Sequence, residues 1–202
     1  MFESLLMLLN IKKLEEIREK EFKIKIQTNK DFATYYIANK KEEFKNLSPI
    51  LQNDEDIIKI ALKVDGENLK YISDKFRDNE NIVNIALENN GLAFKWVSER
   101  LKNNENIALK ALEQNSEAIK LFPKSLKNSA NFWEKIILKE NIISIEFLEN
   151  LPYTLRNNPN FMLNLIKKFN YAIIYISDDL KNNKNFALSL AKENNYFINF
   201  LK

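Results

Sequence analysis

The chain has 202 residues, 45% hydrophobic and 29% charged, with a net charge of +3 from 31 basic and 28 acidic side chains. This fits one sizeable folded domain and excludes a disordered chain; the near balance of charge excludes the dense basic footprint of a dedicated nucleic-acid binder, though not a local basic stripe. With no cysteine and no histidine there is no disulfide, thiolate nucleophile, zinc–cysteine site or imidazole base, and two glycines, Gly66 and Gly91, build no phosphate-cradling loop.

The N-terminal stretch MFESLLMLLNIKK carries Leu5, Leu6, Leu8 and Leu9, followed by Leu14. These predict a helix over residues 1–25 that covers the open face of the next structural unit, the role a cap plays in a repeat array. It does not read as a signal peptide: the apolar run is short, Glu3 stands where positive charge is expected, and no small-residue cleavage site succeeds it. No apolar stretch approaches the roughly 20 residues that span a bilayer, so a cytoplasmic protein without a membrane segment is expected. EFKIKIQ at 21–27 alternates apolar and charged residues. It could form a short strand, and a helix end or linker is the preferred reading. The Lys, Asn and Ile bias points to an AT-rich bacterial or mobile-element genome.

From residue 26 onward one seven-residue pattern recurs: LQNDEDI, FRDNENI, LKNNENI, LKNSANF, LRNNPNF and LKNNKNF. These begin at 51, 76, 101, 126, 155 and 180, so the spacings are 25, 25, 25, 29 and 25 residues. IQTNKDF at 26–32 fits one period earlier. A period of this length means stacked supersecondary units. Pro159 marks the first position of a helix, which makes Asn158 its N-cap. The counterparts of Asn158 are Asn29, Asp54, Asn79, Asn104, Ser129 and Asn183, all good caps, and Glu55, Glu80 and Glu105 come next, where the helix dipole favours an acid. A second set, Asp65, Asn90, Asn115, Asn141, Asn170 and Asn195, is expected to start the other helix of each unit.

The apolar columns agree with two helices per unit. Phe32, Ile57, Ile82, Ile107, Phe132, Phe161 and Phe186 align on the first, with Ala61, Ala86 and Ala111 four residues later. Phe44, Leu69, Phe94, Ile119, Ile173 and Ile198 align on the second, with Leu47, Ile72, Val97, Phe122, Ile176 and Leu201 three residues on. LKNNENI is then a joint: Leu101 ends one unit in the core, the asparagines turn and cap, and Ile107 re-enters the core. The fourth unit carries four extra residues, placed between Trp133 and Leu151 because FPKSL matches LPYTL.

The expected fold is therefore all-α, a solenoid of about seven short helical hairpins over 26–202 behind a capping helix at 1–25. FRDNENIVNIALENNGLAFKWVSERLKNNENIALKALEQN and YAIIYISDDLKNNKNFALSLAKENN resemble the tandem units of the 4116 domain-of-unknown-function family. The resemblance is to a repeat pattern; it implies an interaction module and carries over no catalytic residues.

Two cationic ladders align along the repeats: Lys70, Lys95 and Lys120 on the second helix, and Arg77, Lys102, Lys127, Arg156 and Lys181 after it. They could track a phosphate backbone or an acidic surface, or simply complement helix C-termini. Tyr71, Trp96, Tyr175 and Phe200 form a partial aromatic column, with Leu121 in the third unit, most simply packed between units. Tyr196, Phe197 and Phe200 lie on the last, uncapped helix and are the expected partner-binding patch, which a second copy of the chain would cover equally well. Asp178 and Asp179 are adjacent and point to different faces, so they form no convincing acid–base pair. The reading is a non-catalytic protein-binding scaffold that inhibits its partner sterically, with no cofactor and no metal. The alternative is a nucleic-acid or ribonucleoprotein binder, such as a phage or mobile-element inhibitor of a host nucleic-acid enzyme, that uses the basic ladders.

Overall fold

The computed structural model describes residues 2–39, 44–139 and 148–193, with side chains from residue 11 onward. Among these residues every regular element is helical and none is a strand. The chain divides into two compact units, Met1–Ser98 and Glu99–Lys202.

The first unit opens on α1, Phe2–Thr28, a single helix of 27 residues. The alternating stretch 21–27 continues this helix instead of forming a strand or a linker. No glycine or proline precedes Pro49 to break it, and Glu and Lys are good helix formers. The first joint thus differs from the expected one, because Ile26–Thr28 belong to α1. Asn29 alone separates α1 from α2, Lys30–Asn39. Its backbone N–H donates to the Lys25 carbonyl at 2.9 Å, and its side-chain oxygen accepts from the Phe32 N–H at 2.8 Å. Phe22 packs edge-on against Phe32 and Tyr36, at centroid distances of 5.6 and 4.9 Å, and Ile26 is buried. Leu14, expected to help cover the repeats, is 57% exposed; the side chains of Leu5, Leu6, Leu8 and Leu9 lie outside the described set.

The repeats described in full run through three elements. In the first unit a ten-residue α-helix, Glu55–Val64, leads into a 3-10 helix, Gly66–Tyr71, and a one-turn α-helix, Asp74–Arg77. Glu80–Asn89 and Gly91–Trp96 repeat the first two. In the second unit the same three elements are Glu105–Gln114, Ser116–Leu121 and Lys124–Lys127, and again Pro159–Lys168, Asn170–Tyr175 and Asp178–Lys181. In these repeats the second arm of the expected hairpin is therefore not one helix. It is tightened to 3-10 geometry and then broken by an extended residue, Ser73, Pro123 or Ser177. The core residue Ile72, three after Leu69, already has extended backbone as the C-cap of its 3-10 helix, and proline at the break lacks the N–H a continuous helix would need.

The caps explain where the longer helix of each repeat starts. Side-chain oxygens of Asp54, Asn79, Asn104 and Asn183 each accept from the N–H groups two and three residues ahead, and those of Asn29, Ser129 and Asn158 from the one three ahead. Asp65, Asn90 and Asn115 cap the 3-10 helices in the same way. Asn170 does not: Phe169 occupies the cap position without a side-chain bond, and Asn170 is the first helical residue. The expected cap was one residue late because the register of the other repeats places it eleven residues after Asn158. Asn141 and Asn195 lie outside the described residues. Asn104→Ala should cost about 1 kcal/mol of stability, the usual loss for an N-cap, read from urea melts tracked by circular dichroism.

The columns are the core. Ile57, Ile82, Ala61, Ala86, Ala111, Phe44, Leu69 and Phe94 are fully buried, and Ile107, Phe132, Phe161, Phe186, Ile119 and Ile173 nearly so. Phe32, at the α1 edge, is half-buried. The four extra residues of the fourth repeat fall at least partly on 140–147, and Ile198, Leu201 and the expected C-terminal patch Tyr196, Phe197 and Phe200 fall within 194–202, outside the described residues.

Candidate interaction surface

What the first asparagine of each joint does is decided by the next repeat. Asn103 Nδ2 donates to the Glu99 carbonyl at 2.9 Å, closing its own one-turn helix, while its Oδ1 accepts from the Ser125 hydroxyl at 2.7 Å. Asn53 does the same with Pro49 and Ser73, at 2.8 Å each. Asn157 accepts from Ser177 at 2.7 Å, and Asp78 accepts from Ser98. An amide, with a donor and an acceptor on one planar group, serves both contacts. Backbone bonds take the same path: Ser98 N–H donates to the Arg77 carbonyl at 3.1 Å, and Ser177 N–H to that of Arg156 at 3.0 Å.

The cationic ladders lie on the surface, and their charges are largely matched. Arg77 pairs with Asp74, Lys102 with Glu99 at 2.7 Å and Lys181 with Asp178 at 3.0 Å, each three residues back on the same one-turn helix. Lys102 is only 19% exposed along its side chain. Lys127 has no acid in that position and donates to the Lys120 carbonyl at 2.9 Å; burial pushes its ammonium pKa down. Arg77 and Arg156 each hold a buried Nε without a hydrogen-bond partner among the described residues. On the other ladder, Lys95 reaches back one repeat to Glu67 at 3.1 Å and lies 5.4 Å from the Trp96 ring, while Lys120 pairs with Glu117. Lys70 sits over the Tyr71 ring at 4.7 Å, and its hydrogen bond to Tyr71 raises its pKa.

Further pairs join neighbouring repeats. Lys135 meets Glu105, Lys139 meets Glu113, and Lys167 meets Glu193 at 2.8 Å. Lys30 lies between Asp54 at 2.8 Å and Asp56 at 2.9 Å, and hydrogen bonding to these carboxylates raises its pKa to about 12. The same ammonium holds the Asp54 carboxyl below its ordinary value. A depressed acid contributes stability above its unfolded pKa and loses it as pH falls through the folded value. This contact therefore weakens only in acid well below neutrality.

Three stretches of the chain, 29–77, 79–127 and 158–202, match the family described as Domain of unknown function (DUF4116), and together they cover well over half of it. The chain belongs to the DUF4116 family. No curated protein and no solved structure gives a significant match. The three matches begin at or beside the caps Asn29, Asn79 and Asn158, so one DUF4116 unit spans two 25-residue repeats. The unmatched stretch 128–157 holds the longer-spaced repeat.

Within the DUF4116 units the aromatic column is not core. Tyr71 is exposed, and Trp96, Leu121 and Tyr175 are half-buried. The Trp96 indole N–H donates to Glu67 at 3.2 Å, so this ring joins the same inter-repeat contact as Lys95. Asp178 is engaged by Lys181, and Asp179 accepts from the Tyr153 hydroxyl, which raises the Tyr153 pKa. Among the described residues no cluster of acidic side chains could hold a metal ion, and no helix is long and apolar enough to cross a membrane. Sequence reading missed the serine–asparagine contacts. The signal was present, since Ser73, Ser98 and Ser177 recur five residues before the asparagine or aspartate of each next joint, but serine after an apolar residue is too common to single out.

Proposed function

We propose that the DUF4116 repeats stack as a solenoid of about seven helical hairpins and that the chain is a non-catalytic, cytoplasmic protein-binding scaffold, acting by presenting a curved surface that blocks its partner sterically. One observation carries this reading. Within each compact unit, serine–asparagine bonds and cross-repeat ion pairs tie neighbouring repeats together, and the alanines of the shared column are buried. Such an array is a rigid surface made of nearest-neighbour contacts. The competing nucleic-acid reading has less in its support, because carboxylates neutralise Arg77, Lys95, Lys102, Lys120 and Lys181, and matched cations release few counterions from a phosphate backbone.

Fluorescence anisotropy against labelled single-stranded RNA, single-stranded DNA and duplex DNA at low salt should show no saturable binding, and Lys70→Glu/Lys95→Glu/Lys120→Glu should change nothing there. Affinity capture from the native cell, then reconstitution with the purified partner, should give a protein complex that survives nuclease treatment. Saturable nucleic-acid binding with a steep salt dependence, abolished by the triple reversal, would move the function to the ladders.

A further inference from the structure

We propose that the outward face of α1 is a docking seam for an amphipathic helix with acidic flanks; this names the partner chemistry of the scaffold proposed above and rests on that reading. At 100° per residue, Leu14, Ile17 and Ile24 share one side of α1, within about 80° of one another. All three are exposed, Ile24 at 62%. An apolar stripe on a helix normally faces a core. On α1 the contact with α2 is made instead by Phe22 and Ile26, centred roughly 150° around the helix from Leu14, Ile17 and Ile24.

The charges are sorted around the band. With Leu14 and Glu21 at heptad position a and Ile17 and Ile24 at d, Lys13 and Lys20 fall at g, and Arg18 and Lys25 at e. Glu15, Glu16 and Glu19 take the far positions b, c and f, and Glu19 forms an ion pair there with Lys23 at 3.7 Å. Lys13, Arg18 and Lys20 make no ion pair among the described residues, unlike the matched cations of the repeats.

Three occupants meet this face differently. A second copy in parallel would set Lys13 against Arg18 and Lys20 against Lys25; antiparallel, g would meet g and e would meet e. Both arrangements oppose like charges. A lipid surface would have to accept Glu21 inside the band, between Ile17 and Ile24, where burying a carboxylate is unfavourable. A helix with an apolar seam, glutamate or aspartate on both flanks and one cation opposite Glu21 satisfies every group.

The probe is a synthetic three-heptad peptide with leucine at a and d, glutamate at e and g, and one lysine at its central a position, titrated by calorimetry into the full chain. Saturable binding is expected, weakened about tenfold or more by Leu14→Asp/Ile17→Asp, with unchanged thermal melts because both side chains are exposed. Lys13→Glu/Lys20→Glu should weaken the glutamate-flanked peptide and strengthen a lysine-flanked one, a reciprocity that loss of structure would not produce. No saturable binding, or equal binding of both peptides, overturns the proposal. So does a dimer in sedimentation that Leu14→Asp/Ile17→Asp dissolves, or co-sedimentation with phosphatidylserine-containing vesicles that the same variant loses. If a reconstituted protein partner binds the Leu14→Asp/Ile17→Asp chain undiminished, the seam fails and the scaffold stands. If nuclease-resistant partners are absent altogether, the scaffold reading fails on its own.

Discussion

Trp133→Ala should lower the stability of the chain by about 3–5 kcal/mol, the largest effect expected of any single substitution here. Trp133 is fully buried in the second unit, at the position held by Ile58, Val83, Ala108 and Met162 in other repeats. Its indole N–H also donates to the Lys127 carbonyl at 2.8 Å. In two other repeats the equivalent carbonyls, of Arg77 and Arg156, accept from the N–H of Ser98 and Ser177. Pro152 stands where those serines stand and has no N–H to give, so the indole supplies the missing donor. Trp133→Phe keeps most of the ring but not the donor, and should cost about 1–3 kcal/mol for the unsatisfied carbonyl plus the smaller volume lost. Urea melts of the two variants separate the terms. Equal losses would mean that the hydrogen bond, and not the cavity, dominates; a neutral Trp133→Phe would mean that the carbonyl finds another donor.

Gly66→Ala is the second large effect, and its sign is decided by one contact. Gly66 has no left-handed backbone, so alanine would ordinarily stabilise by about 0.4–1 kcal/mol through the unfolded chain. A Cβ built there lies 2.3 Å from the Ala86 carbonyl oxygen and 3.1 Å from Asn90 Cβ. The obstacle is backbone of the next repeat's helix, which cannot rotate away. The two repeats would have to part, straining the bonds by which Asn89 accepts from the Gly66 N–H and donates to the Lys63 carbonyl, both at 2.8 Å. A net loss of about 1–3 kcal/mol is expected, and a melt of Gly66→Ala at or above the unchanged chain would show that the repeats do not approach this closely.

The glycine illustrates how far the sequence could be read. Counted along the chain, Gly66 and Gly91 are merely scarce; that Gly66 is needed for a close approach emerges only when Ala86 is placed against it. The joint asparagines divide in the same way. Asn104 and its six counterparts could be recognised as caps because capping is local chemistry, completed within three residues. The role of Asn103 requires Ser125, and the register that brings them together is set by packing, not by neighbours in sequence. The cationic ladders were visible as columns, yet Lys95 is matched by Glu67 in the preceding repeat, a pairing that spacing along one helix does not reveal.

The sequence by itself determined the repeat period, the all-helical class, the seven caps and the buried columns, because these arise from short-range hydrogen bonding and from which side chains leave water. Only the tertiary structure decided that the second arms described in full are a 3-10 helix and then a single α-turn. Leu69 and Ile72, spaced by three, suit either helix locally, and the choice falls to the neighbouring repeat that must fit over them. It also decided the orientation of α1. Leu14 reads in the sequence as a residue that covers the repeats, and Ile17 and Ile24 share its side, but the aromatic cluster of Phe22, Phe32 and Tyr36 draws the other side of the helix inward and leaves these three exposed.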